Sequence, residues 1–358
     1  MLYRETGQYR TSYAADAAIF PLRQDRIGLA VLLFLALVPI PLLGSDFLTN
    51  TVMIPFLIWT LATIGLNLLT GYAGLLSLGT GAFMGAGAYA CYKLTTLLPG
   101  ANILLLILAS GLFSAAIGVV FGLPSLRIKG FYLAVATLAA QFFLEWCFVR
   151  VPWLYNYNAS AAIEVPTRTA FGVALTGPTA TPVARYYAVL ALVLVLTWTA
   201  SNLVHGRIGR SWMMIRDMDI AAELMGVRLL RTKLLAFAVS SFYCGVAGAM
   251  LIFLWLGAAE AESFSIDTSF RVLFMVIIGG LGSLIGSFFG AAFIWILPIV
   301  IRAVPDALGL PVGAATVEHL NSILIGALII LFLIVEPHGL ARLWRIAKEK
   351  LRRWPFPY

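Results

Sequence analysis

Apolar runs long enough to cross a lipid bilayer recur from Ile27 almost to Glu336, and this repetition constrains the fold more than any other feature of the chain. A hydrocarbon core about 30 Å thick needs about 20 apolar residues at about 1.5 Å rise each. Hydrophobic residues make up 61% of the 358 and charged residues only 11%, against about 25% charged in an ordinary soluble domain. That leaves room for about ten crossings and no sizeable soluble domain. The fold class is an all-α polytopic membrane protein. The functions open to it are those of a pore, a carrier or an intramembrane enzyme.

Apolar segments read at 27–43, 51–70, 71–92, 101–123, 131–148, 184–204, 234–258, 271–289, 290–304 and 318–336. Eighteen of the 24 basic residues fall in four clusters. Arg4, Arg10, Arg23 and Arg26 precede the first segment, and Arg127 and Lys129 follow the fourth. Arg207, Arg210, Arg216, Arg228, Arg231 and Lys233 lie in a polar insert, and Arg342, Arg345, Lys348, Lys350, Arg352 and Arg353 follow the last segment. The positive-inside rule places all four clusters in the cytoplasm. Asp46, Glu164, Glu260, Glu262, Asp267 and Asp306 populate the other loops. Ten crossings satisfy this sidedness, and so do eight if one pair of Gly-rich segments is re-entrant; nine do not.

The domain reading follows. Residues 1–26 form a cytoplasmic N-terminal tail, with no apolar region and cleavage site of the signal-peptide kind. Residues 27–336 form the transmembrane domain, with a long outer loop at 149–183 and the polar insert at 206–233. Residues 337–358 form a basic, amphipathic cytoplasmic tail suited to an anionic lipid surface. The net charge of +8 is thus a topology signal and not a nucleic-acid footprint. Cys91, Cys147 and Cys244 sit in apolar segments without a CxxC spacing and read as packing residues.

Two Gly-rich stretches interrupt the apolar pattern, Gly71 to Tyr89 and Gly279 to Ala292. Aligning Ser77 with Ser283 pairs Gly74 with Gly280, Leu75 with Leu281, Leu78 with Leu284, Phe83 with Phe289 and Ala86 with Ala292. The match reads as a weak internal repeat, of the kind that places interrupted helices in both halves of a transporter. Close helix packing through small residues accounts for single glycines such as Gly81 and Gly85. For the paired stretches we expect broken helices lining a pathway, because exposed backbone at membrane depth is tolerated only beside protein or water. The expected pathway residues are Asn67, Thr70, Gly71, Gly74, Ser77, Gly280 and Ser283.

In the insert, Ser211 is expected to cap a helix whose face carries Ile220, Ala221, Leu224 and Met225, with Asp217, Asp219 and Glu223 turned away and Gly226 ending it. An apolar face in a cytoplasmic loop needs a partner surface; three acids suit a protein better than an anionic leaflet.

The insert resembles the coupling loop by which permeases of ATP-binding-cassette (ABC) importers dock on their ATPase subunits. The block Met214 to Gly226, with Lys233 to Ser240, is similar to LivM-type permeases of the high-affinity branched-chain amino acid family. Asn67 to Gly74, Ser77 to Gly79, Leu126 to Ala134, Ile278 to Ser283 and Glu336 to Leu340 fit the same family. The resemblance covers roughly residues 55–342 and implies coupling roles for Arg216, Asp217, Asp219, Ala222, Glu223 and Gly226. The loop reads Ala221-Ala-Glu223 where the general motif reads Glu-Ala-Ala, and Thr80 stands where many relatives carry Gln or His, which leaves the solute open.

No GxxxxGK[ST] loop is present, so the chain binds no cofactor of its own and ATP is used by partners. The resemblance implies two cytoplasmic ATPase subunits, a second, LivH-like permease chain, a periplasmic substrate-binding protein, and the bacterial inner membrane with both termini cytoplasmic. Leucine-type amino acids are the implied cargo; urea or short amides are the alternative. An ion-coupled carrier fits less well, because ionisable residues within spans are few: Glu145 lies late in its span, and Lys93 and Arg271 read as segment-end residues. An intramembrane enzyme fits least, since His205, His319 and His338 all lie at segment edges.

Overall fold

The computed structural model describes Ser12, residues 23–125, 132–158, 162–170, 172–177 and 180–307, parts of 323–334, and 339–353. Arg127, Lys129, His319, Glu336 and His338, with most of the last expected segment, lie outside the described residues.

Among the described residues the apolar runs are mainly helical. Helix α1 (Arg23–Leu37) is followed by a short α2 (Pro39–Leu43) and by the long α3 (Leu48–Tyr72), whose two ends widen into π-helical turns. Helices α4 (Thr80–Leu97), α5 (Ile103–Ser125) and α6 (Tyr132–Arg150) lead to the outer loop, and α7 (Pro182–His205) leads out of it. The insert forms α8 (Arg207–Asp217) and α9 (Asp219–Leu224); α10 (Leu229–Met250, extended by π-helical turns to Leu256), α11 (Ile266–Gly279) and α12 (Leu284–Ala307) follow. Helix α13 (Gly339–Arg353) closes the described chain.

Seven of these helices are long and apolar enough to cross a membrane: Asp25–Leu42, Leu48–Tyr72, Ile103–Pro124, Leu133–Arg150, Pro182–His205, Leu229–Leu256 and Leu284–Ile301. The chain is a multi-pass membrane protein. Helix α4 falls outside this set, and α11, with 14 residues, reaches only about 21 Å at 1.5 Å per residue, short of a bilayer core of about 30 Å. The expected boundary between segments at 289 and 290 is corrected: α12 runs unbroken through it, and the interruption falls at 280–283, where Gly280 and Gly282 adopt positive φ.

Helices α3 and α10 form the centre, each buried over nearly its whole length, and α1 lies at the periphery with Ile27, Leu32 and Phe34 more than half exposed. Small residues let the central helices close up: a methyl placed on Gly87 would collide with the backbone of Gly245. The described part of the loop between α6 and α7 packs as a cap. Two residues of it (Ile163–Glu164) pair antiparallel with Ala258–Ala259 after α10, Arg168 donates to the Thr95 carbonyl at the end of α4 (2.6 Å), and Lys93 binds the Asn156 side chain and lies over the Trp153 ring. At the opposite end, Lys348 of α13 pairs with Asp25 of α1 at 2.5 Å, so the two terminal helices meet.

Candidate functional site

The two Gly-rich interruptions expected from sequence are breaks in the helical backbone, and they meet. After Tyr72 the chain leaves helical geometry until Thr80, with Gly74 at φ +69°; between α11 and α12 it does so at 280–283, with Gly280 at +114° and Gly282 at +72°. L-residues other than glycine pay a steric cost at such angles. The alignment of Gly74 with Gly280 thus pairs two positions with the same backbone requirement.

Asn67, one turn before the end of α3, joins the breaks. Its amide nitrogen donates to the Ser283 carbonyl (2.8 Å) and the Ser287 hydroxyl (3.0 Å), and its amide oxygen accepts from Gly282 N–H (2.9 Å). Asn67 is fully buried, and its donors and its acceptor are spent on this clasp. Gly71 lies against it: a methyl there would run into Asn67 Oδ1 and Gly282 N.

The insert docks on the same point. Arg216 Nη1 donates to the Gly71 carbonyl at 3.0 Å, while its Nη2 pairs with Asp217 at 2.9 Å. A Cβ at Gly74 would sit 2.9 Å from Arg216 Cγ, and one at Gly282 3.3 Å from Arg216 Nη1. Helix α13 arrives from a third direction, its first residue Gly339 so close to the second break that a Cβ would lie 2.6 Å from Gly280 N. Breaks, insert and terminal helix therefore share one end of the molecule.

The insert itself differs from its expected form. Met218 is extended (φ −161°, ψ 98°) and splits it into two helices; Gly206 stands at the N-cap of α8, and Ser211 lies inside that helix, donating to the Arg207 carbonyl at 2.9 Å. Met218 has no side chain that hydrogen-bonds the next turn, so the kink owes nothing to a cap. Trp212 of α8 is buried and donates to Thr232 O at 3.1 Å, which roots the insert on the start of α10. Helix α9 turns Ala222 inward (1% exposed) and presents Met218 (68%), Ile220 (70%), Leu224 (85%) and Met225 (74%) outward. Gly226, at φ +88° with open space around it, ends the helix as expected.

A second polar suture lies at the start of α4. Leu78 N–H donates to Thr137 Oγ1 (2.9 Å), Gly81 N–H to Ser269 Oγ (2.8 Å) and Ala82 N–H to Gln141 Oε1 (2.7 Å). Gln141 also accepts from Ser269 (3.0 Å) and donates to Phe264 O (2.7 Å). The free N–H groups of this helix start are thereby taken by side chains from α6 and α11.

With the geometry in hand, comparison with known proteins decides the family. Residues 48–333 match the branched-chain amino acid transport system permease component family.

The chain belongs to that family.

It is 29% identical over 312 residues to the high-affinity branched-chain amino acid transport system permease protein LivM of Salmonella typhimurium, covering 81% of this chain and 69% of that protein. Its identity to LivM of Escherichia coli is 28% over the same length and shares. Over 113 residues it is 32% identical to the autoinducer 2 import system permease protein LsrC of an Enterobacter species, covering 30% of this chain and 32% of that protein. No solved structure matches. The family is a transport-system permease component.

The permease brings together Asn67, Gly71, Gly74, Gly280, Ser283 and Arg216 from the expected site residues. Thr70 is adjacent, its hydroxyl buried without a partner among the described residues. Ser77 lies apart, buried and accepting from Gly79 N–H at 3.4 Å. Asp219 faces Lys233 at 4.0 Å, and Glu223 is exposed on α9 away from the breaks. Gln141, Ser269 and Thr137 were not singled out from sequence, although buried polar residues inside apolar spans are a visible signal.

Proposed function

We propose that this permease is the membrane subunit of an ABC importer for branched-chain amino acids, worked by two cytoplasmic ATPase subunits that dock on α9. One observation carries this reading: the outward apolar face of α9 sits on an insert whose Arg216 donates to Gly71 in the last turn of α3, at the edge of the first helix break. Four large apolar side chains exposed on a short polar loop represent unspent hydrophobic free energy. Each is worth about 1.5–3 kcal/mol when covered. A partner groove supplies that cover, and movement of the groove then pulls on Gly71 through Arg216. Asn67 carries the displacement across to Gly282 and Ser283, so both breaks shift together.

In this reading the breaks at 73–79 and 280–283 flank the inner part of the solute path, and their backbone groups serve it. Asn67 works as the clasp between them. A second, LivH-like permease chain completes the path, and a periplasmic binding protein delivers solute to the cap formed by the outer loop. The four basic clusters and the meeting of α1 with α13 support both termini on the cytoplasmic side of a bacterial inner membrane. Helix α13, basic and amphipathic, rests on the anionic leaflet.

LsrC belongs to an autoinducer 2 import system, so the solute needs its own test. The complex of two permease chains, two ATPase subunits and binding protein is reconstituted in vesicles, with Leu224→Cys as a cross-linking probe. The account expects Leu224→Cys to cross-link to the ATPase subunit and ATP to drive leucine uptake that urea and acetamide do not compete with. Absence of the cross-link removes the coupling role; uptake of urea in place of leucine replaces the cargo.

A further inference from the structure

Helix α11 has two chemically opposed faces. One is sutured into the molecule by Ser269, bonded to Gly81 N–H and Gln141, and by Val272, Met275 and Val276, all fully buried. The other carries Asp267, Phe270 and Arg271, all exposed, and Phe274, half-buried. Those positions fall at i, i+3, i+4 and i+7, so they form one stripe along the helix.

Arg271 lies beside the middle of α3. Arg271 Cζ is 5.6 Å from the centre of the Trp59 ring, and Trp59 is the twelfth of the 25 residues of α3, the middle of a full-length span. A charged side chain at that depth costs about 2.5–3.5 kcal/mol on insertion scales if it faces lipid. Among the described residues neither Arg271 nor Asp267 makes an ion pair within 4.0 Å, though Asp267 lies within electrostatic reach of Arg271. A stripe carrying both signs of charge on a helix of the apolar domain belongs against water or a polar ligand.

We propose that this stripe is a binding site for a zwitterionic amino acid with an apolar side chain. Arg271 takes the carboxylate, Asp267 the ammonium group, and Phe270 and Phe274 the hydrocarbon side chain. The inference rests on the transport reading above and names the recognising groups. Three observations favour a solute over a seam between subunits. The charges are opposite and one helical turn apart, matching a ligand that carries both signs on groups attached to one carbon. The rings of Phe270 and Phe274 stack at 6.2 Å and 16°, forming an apolar slab beside the charges. Trp59 is 4% exposed with its indole N–H lacking an acceptor among the described residues, which leaves a buried donor beside Arg271. A cation–π contact holds the guanidinium without consuming its N–H donors, which stay available for a planar, bidentate carboxylate. Helix α11 then ends at Gly280, so the stripe runs into the break proposed for the inner path.

Ile277, the next position along the stripe and half-buried, is a reporter that does not itself bind ligand. The test uses the full complex in vesicles with Ile277→Cys in a Cys147→Ala background, since Cys147 is the one native cysteine not buried. A cationic methanethiosulfonate is expected to label the introduced thiol, and saturating leucine to slow that labelling. Isoamylamine, lacking the carboxylate, and 4-methylpentanoate, lacking the ammonium group, are expected not to. Arg271→Gln should weaken protection roughly 10- to 100-fold and Arg271→Lys less, as expected for lost charged hydrogen bonds. Labelling that leucine leaves unchanged overturns the proposal, as does an unreactive introduced thiol with a photo-cross-linker at position 271 captured by the second permease chain. Wild-type ATP-driven leucine uptake is read in the same vesicles. Normal uptake with either of those results sinks this inference alone, whereas no uptake sinks the transport reading beneath it.

Discussion

Replacing Asn67 by leucine keeps the side chain's branching and heavy-atom count and removes the clasp. Gly282 N–H loses its acceptor, whereas Ser283 C=O keeps Ser287 N–H at 3.2 Å and the Ser287 hydroxyl at 3.4 Å. A buried backbone group left unsatisfied costs about 1–3 kcal/mol. The site has room to relax only by separating the breaks, because Gly71 and Gly282 are already in contact. Separation relieves the cost and also disconnects Arg216 from the second break. The account therefore expects Asn67→Leu complexes to assemble and hydrolyse ATP while uptake per complex falls more than about tenfold, the rate equivalent of about 1.4 kcal/mol. Uptake and hydrolysis are measured together in vesicles against complex quantified by gel filtration. Uptake within twofold of wild type, with ATPase activity unchanged, refutes the reasoning, because the clasp then transmits nothing.

Leu224→Asp on α9 should weaken ATPase subunit retention by about tenfold or more, since one covered leucine is worth about 1.5–3 kcal/mol; co-purification at graded dilution reads this. Gly226→Ala meets open space and pays only the left-handed backbone cost of about 1 kcal/mol, so it should couple more weakly without loss of the permease, whereas Gly226→Pro should abolish coupling. Gln141→Leu strips partners from Ala82 N–H and Phe264 O and should lower the melting temperature of the detergent-purified complex through a loss of about 2–6 kcal/mol. Arg216→Gln, which keeps a donor but loses the paired charge, should reduce uptake less than Arg216→Met, and equal activity of the two would remove the Gly71 link.

The spans were legible because a run of apolar residues means the same thing wherever it occurs. The breaks were legible as well: Gly and Ser gather at 71–77 and 279–283, where a continuous helix would favour Leu or Ala, and Gly226 marks a helix end. Position within a run was less so. Gly279, Gly280, Gly282, Gly286 and Gly290 look alike in sequence, yet only Gly280 and Gly282 of this stretch take positive φ, while Gly286 and Gly290 sit inside α12 to let α11 approach. The kink at Met218 carries no turn residue, so periodicity ran straight through it. Asn67 read as a polar residue near a pathway, but its partners lie more than 200 positions away, and a single sequence does not pair them. The contact of Arg271 with Trp59 joins two helices more than 200 positions apart and is likewise invisible to a single sequence.

The most direct test of the central claim compares the permease alone with the assembled complex in sealed vesicles, under a proton or sodium gradient and then with ATP on the side of the ATPase subunits. The account predicts leucine accumulation against its gradient only with the complex and hydrolysable ATP, and none by the lone chain under either ion gradient. Uphill uptake by the lone chain on an ion gradient would contradict it.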